Sequence, residues 1–142
     1  MFQTPESLKW VISTKRSVLI TRSVIDSILT YAKVQHPREG ILLLSGRIDS
    51  DGIQVDEVIV PPLAVHGYGF SSFPFQMLPI DLSVVGTAHS HPSGVLRPSV
   101  EDLNHFYGRV MVITAYPYDS ESQIAVYDKA GTTIKYEIEK GA

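Results

Sequence analysis

Apolar residues recur along this chain with two different periods, and the changes from one to the other mark out its elements. Ser17 to Ile20 reads as a short strand. From Thr21 onward, Val24, Ile25, Ile28, Leu29 and Ala32 recur at helical spacing until Pro37 halts the pattern, which predicts an amphipathic helix. Ile41 to Leu44 is a continuous apolar run of strand length, and the turn Asp49-Ser50-Asp51-Gly52 leads into the β-rich stretch Ile53 to Val60, so a hairpin is expected. Pro61 to Pro79 mixes prolines and glycines with aromatics and reads as an irregular loop with one short extended piece around Phe75 to Leu78. Val84 to His89 is again a buried-strand pattern. Pro98 and Ser99 open a short helix predicted to reach Tyr107, Arg109 to Tyr116 is an apolar strand, and Gln123 to Tyr127 and Thr132 to Glu139 are two more strands around a turn at Lys129 to Gly131.

Helices and strands mix without regular β-α-β alternation, so the expected class is α+β with a mixed, mainly antiparallel sheet. A chain of 142 residues that is 44% hydrophobic supports one domain with a core. Residues 1–16 contain the apolar cluster Leu8, Trp10, Val11 and Ile12 but no sustained period, and are taken as an N-terminal extension, with the domain over 17–140. Charged residues make up 19%, with a net charge of -3 and no block of one sign, which argues against a nucleic-acid partner. No run of apolar residues is long enough for a membrane span, and the first residues lack the pattern of a secretory leader, so a cytoplasmic protein away from membranes is expected.

The absence of cysteine removes disulfides, thiolate ligands and a cysteine nucleophile, and leaves His, Asp and Glu as the strong metal ligands. Against that background the segment HSHPSGVLRPSVEDL, residues 89–103, stands out. Residues two apart on a strand share a face, so His89 and His91 can offer both imidazoles to one point. Pro92 ends the strand, the loop reverses through Gly94, and Ser99 is a suitable N-cap for a helix with Asp102 in its first turn, turned back toward the histidines. Two His and one Asp with a fourth position for water match a catalytic zinc site, in which the ion lowers the pKa of water to roughly 7. A proton acceptor outside the ligand set is also needed. Glu39, at the head of EGILLLSG, can serve if its strand lies beside the one ending in His89; taken alone, such a glutamate reads as solvated surface. Ser99 is placed to steady an oxyanion. His36, His66 and His105 lack ligand spacing and fall outside this site.

These segments resemble the JAMM (MPN+) zinc metallopeptidases, whose motif is His-x-His, seven residues, Ser, two residues, Asp, with an upstream glutamate. HPREGILLLSG, FQMLPI, GTAHSHPSG and RPSVEDL look most like the compact archaeal members, and the likeness runs from about Ser17 to Lys140. The resemblance implies a single domain with a curved sheet flanked by an N-terminal helix and a short zinc-site helix. It also implies one Zn2+ per chain on His89, His91 and Asp102, Glu39 as general acid/base and Ser99 as oxyanion support. The activity it implies is hydrolysis of the isopeptide bond between a ubiquitin-like modifier's C-terminal glycine and a lysine, or processing of a modifier precursor. Phe75, Gln76, Met77 and Leu78 would pair with the modifier's extended tail. Gly108 leads almost at once into the next strand and the turn at Asp119 to Ser122 is short, so the insertion by which eukaryotic deubiquitinases grip a second ubiquitin is absent, and small archaeal modifiers are the expected substrates. The competing functions are a non-catalytic MPN scaffold that binds a partner at its sheet edge, and a metal-dependent hydrolase of a small amide.

Overall fold

The computed structural model describes residues 17–61, 65–66, 71–72 and 83–140. Strand β1 (Ser17–Thr21) runs directly into helix α1 (Arg22–Gln35) because Thr21 is an N-cap, its side-chain oxygen accepting the Val24 N–H. Strands β2 (Ile41–Ile48) and β3 (Gly52–Ile59) form the expected hairpin, with Asp49 Oδ1 accepting the N–H groups of Asp51 and Gly52. Val65–His66 and Ser71–Ser72 pair as the short strands β4 and β5. There follow β6 (Val84–His91), α2 (Val100–Asn104), β7 (Val110–Ala115), β8 (Ile124–Tyr127), β9 (Thr133–Ile134) and β10 (Tyr136–Glu139).

Eight strands form one sheet in the order β10-β1-β3-β2-β6-β7-β8-β9. The pairings β1–β10, β1–β3 and β6–β7 are parallel and the others antiparallel, so the class is α+β with a mixed sheet, as expected. Strands β9 and β10 sit at opposite ends of this order, yet Lys135 alone separates them. Two Cα steps span at most about 7.6 Å, so the sheet must curl until its edges nearly meet. Residues from both edges, Ile134 on β9 and Tyr136 and Ile138 on β10, pack on the cluster that also holds Val24, Ile25 and Ile28 of α1. The sheet is therefore wrapped around the helix.

The opposite face is covered as well. Ile41 and Leu43 pack with Ile59 and Val84, and Met111, Ile113 and Tyr127 pack with Leu96 and Phe106. Strands buried on both faces read as unbroken apolar runs, which is why ILLL and VMVITA show no alternation.

Three expectations are corrected in detail. The helix predicted to reach Tyr107 stops at Asn104: the His105 N–H caps it on the carbonyls of Glu101, Asp102 and Leu103, and Gly108 (φ +84°) reverses the chain. Within the segment expected to be an irregular loop with one extended piece, Val65–His66 and Ser71–Ser72 form an antiparallel pair. The strand predicted over Thr132 to Glu139 is two strands, because the curl hands the chain from one sheet edge to the other at Lys135. The extension 1–16 and the extended piece around Phe75 to Leu78 lie outside the described residues. Among the described residues no helix is long and apolar enough to cross a membrane.

Strands β6 and β7 approach closely at Gly86, where an added Cβ would lie 2.0 Å from the Val110 carbonyl oxygen. Gly86→Ala must push β6 away from β7, and is expected to destabilise the fold by about 1–3 kcal/mol, read as a lower urea midpoint at unchanged slope.

Candidate metal centre

Strand β6 carries both histidines from the middle of the sheet. His89 pairs with Ile41 of β2 on one side and Ile113 of β7 on the other. Strand periodicity then places His91 on the same face, and the two residues are 3% and 6% exposed. Beyond β6 the His91 carbonyl accepts the N–H groups of Gly94 and Tyr116, both at 3.1 Å, which folds the loop back against the end of β7. Gly94 takes a left-handed turn there (φ +85°).

The loop returns through Ser99, and a reciprocal capping box starts α2. Ser99 Oγ accepts the Asp102 N–H at 3.0 Å, and Asp102 Oδ2 accepts the Ser99 N–H at 2.8 Å. The same carboxylate is thereby aimed at the histidines. Oδ2 lies 3.0 Å from His91 Nε2, and Oδ1 lies 3.8 Å from His89 Nδ1. The Val95 carbonyl, 2.9 Å from His91 Nδ1, can only accept, so the Nδ1 hydrogen is committed there and Nε2 faces the carboxylate. His89 Nε2 contacts Thr87 Oγ1 at 3.3 Å, which leaves Nδ1 toward Asp102.

Glu39 reaches this group because β2 and β6 are neighbours. Ser90, the residue between the histidines, holds Gly40 twice: its Oγ accepts the Gly40 N–H at 2.7 Å and its N–H donates to the Gly40 carbonyl at 3.1 Å. A Cβ on Gly40 would lie 2.9 Å from the Tyr31 ring, so a side chain there would force the two apart. With the next residue clamped, ligand atoms of Glu39, His91 and Asp102 all fall within 4.8 Å of one another. The four residues singled out by spacing, His89, His91, Ser99 and Asp102, thus come together with Glu39, the candidate proton acceptor. Phe75, Gln76, Met77 and Leu78 lie outside the described residues. The clamp made by Ser90 and Gly40 went unread in the sequence, although a serine buried mid-strand was a usable signal.

Burial pushes His89 down to about 4, so its imidazole is neutral near pH 7. Burial acts the same way on His91, but the Asp102 hydrogen bond, the Val95 carbonyl and the charges of Asp102 and Glu39 outweigh it and raise its pKa. Burial favours protonated Asp102, yet the hydrogen bond from His91, the charge of His89 and the Ser99 N–H bring it down to about 2. An ionised carboxylate beside imidazoles with oriented tautomers is a donor set suited to a divalent ion, which would take the place of the proton between His91 and Asp102. Asp102→Asn removes that charge and is expected to weaken uptake of added Zn2+ by at least about 10²-fold in titration calorimetry, with the far-ultraviolet spectrum retained.

A family model for prokaryotic homologs of the JAB domain matches residues 21–126. A Haloferax volcanii protein described as a probable metalloprotease is 34% identical over 125 residues, covering 83% of this chain and 77% of the relative. Among solved structures, a JAB1/MPN domain protein from Archaeoglobus fulgidus is 34% identical with a TM-score of 0.65, covering 87% of this chain and 98% of that one. A structure described as "JAMM: A Metalloprotease-like Zinc Site in the Proteasome and Signalosome" is 35% identical with a TM-score of 0.62, covering 89% of this chain and 100% of that one. A Desulfitobacterium hafniense protein at 18% identity, covering 87% of this chain and 94% of its own, shares the fold with a TM-score of 0.64. A catalytic-type donor cluster on a curled mixed sheet therefore coincides with sequence similarity across most of the chain, and the protein belongs to the JAB/MPN family of JAMM-like metalloproteases.

Proposed function

We propose that the protein is a zinc-dependent isopeptidase that hydrolyses the bond between the C-terminal glycine of a ubiquitin-like modifier and a lysine amine, or processes a modifier precursor. The observation that carries this is Glu39, a fourth ionisable group brought to within 4.8 Å of His91 and Asp102 by an adjacent strand. His89, His91 and Asp102 hold one zinc ion, and Glu39 stands beside them to handle protons. When bound, zinc supplies Lewis acidity toward water and the scissile carbonyl.

In this scheme Glu39 takes a proton from the attacking water and returns it to the departing lysine amine, a transfer worth about 10²–10⁴ in rate. The Ser99 oxygen is occupied as acceptor from the Asp102 N–H, which leaves the hydroxyl hydrogen to donate to the oxyanion that develops on the carbonyl. The modifier's extended tail pairs as an added strand with Phe75, Gln76, Met77 and Leu78, whose sequence is suited to strand addition. The same chemistry serves a small amide without that pairing.

Glu39→Gln is expected to keep zinc, measured by metal analysis, while hydrolysis of a modifier-lysine conjugate falls by at least about 10²-fold. Full activity in that variant would move the base elsewhere. Replacing Met77 and Leu78 with Asp is expected to abolish cleavage of the conjugate; undiminished cleavage would show that no added strand is needed and favour a small-amide substrate.

A further inference from the structure

Glu39 lies between two anchors, and the catalytic cluster contains one of them alone. On its C-terminal side Gly40 is tied to Ser90. On its N-terminal side the turn His36-Pro37-Arg38 descends from the end of α1, and His36 is fixed both by its backbone and by its ring. The His36 N–H donates to the Ala32 carbonyl at 2.9 Å, and the Arg38 N–H donates to the Gln35 carbonyl at 2.8 Å. His36 Nδ1 lies 3.0 Å from the Tyr118 hydroxyl. Its ring stacks on Tyr116 with centroids 4.6 Å apart, and Tyr118 meets both rings edge-on at 5.5 and 5.8 Å.

Tyr118 is an unusual residue to find there. It is 1% exposed, among the largest fully buried side chains, and at φ +59° it is the sole non-glycine residue with positive φ among those described. A bulky residue in the left-handed region is strained and persists only where its surroundings enforce it. The enforced conformation carries the phenol beneath the α1–β2 turn. Burial first, then the charge of Glu39, pushes Tyr118 up to about 12.

We propose that the hydrogen bond between His36 and Tyr118 is a positioning device for Glu39. It locks the turn that precedes the carboxylate, as Ser90 locks the residue that follows it. His36 and Tyr118 touch neither the ion nor the scissile bond, and they influence hydrolysis through Glu39 alone. The device presupposes the base role of Glu39 given above. Its value lies in geometry: a displacement of about 1 Å at a reacting group can cost about 10²-fold in rate.

The test uses the full zinc-loaded chain and an internally quenched peptide in which a Gly-Gly C-terminus is joined to a lysine ε-amine. Tyr118→Phe keeps the ring and removes the hydroxyl; it should lower kcat about tenfold while KM moves less than about twofold and zinc content holds. His36→Ala should repeat the loss, and His36→Asn, whose amide can reach the Nδ1 position, should restore most of it. In a Glu39→Gln background, Tyr118→Phe should cost nothing further, whereas a merely structural role would impose the same loss in both backgrounds. Wild-type kcat in both Tyr118→Phe and His36→Ala, or equal losses with and without Glu39, would overturn the proposal. Should Tyr118→Phe fail to fold, the two His36 variants decide by the same criteria. An active Glu39→Gln variant, or a wild type unable to cleave the probe, would instead remove the base role or the isopeptidase assignment on which the device depends.

Discussion

Asp102 is ionised while buried, and the rest of the site follows from how that is made tolerable. An uncompensated carboxylate in such a place would cost several kcal/mol and would take up a proton instead. Here the Ser99 N–H and His91 Nε2 supply the compensation, and the group is brought down to about 2. The arrangement also couples its members. The hydrogen bonds that hold the carboxylate start α2, and α2 in turn fixes where the carboxylate points. His91, drawn to Asp102 on one ring nitrogen and to the Val95 carbonyl on the other, has little rotational freedom left.

Strand packing turns this local compensation into a preorganised centre. Placing Ile41 opposite His89 brings the head of β2 to the C-terminal end of β6, and the two hydrogen bonds between Ser90 and Gly40 make that register a property of the site itself. A slip by one residue would turn both imidazoles to the other face. The central strands are covered on both faces, and at Gly86 the adjacent backbone of β7 leaves no room for a side chain, so the platform is held tightly. A carboxylate on a neighbouring strand and turn, rather than on the histidine strand, can then act as an independent group beside His91 and Asp102.

Much of this was legible in the sequence, for specific reasons. Strand period 2 makes His-x-His a statement about geometry, and an N-cap serine three residues before an aspartate is a statement about where that aspartate turns. Glu39 was only weakly legible before the family resemblance supported it, since the order of strands in a sheet leaves no local mark and a glutamate at a strand start resembles solvated surface. The split at Lys135 was invisible for the same reason: an apolar segment looks alike whether it pairs with β8 or crosses to β1. His36 had no ligand spacing and was set aside, because its partner Tyr118 lies 82 residues away and the two meet only after the sheet has curled.

The central claim is that two imidazoles and one carboxylate converge on a single ion while Glu39 stays outside its coordination. Zinc K-edge absorption of the metal-loaded protein tests it directly. The expected spectrum is that of a four-coordinate ion with two imidazole nitrogens at about 2.0–2.1 Å and oxygen donors completing the set. It should be unchanged in the Glu39→Gln variant. A spectrum with one imidazole or none, or one that loses an oxygen donor when Glu39 is replaced, would contradict the account.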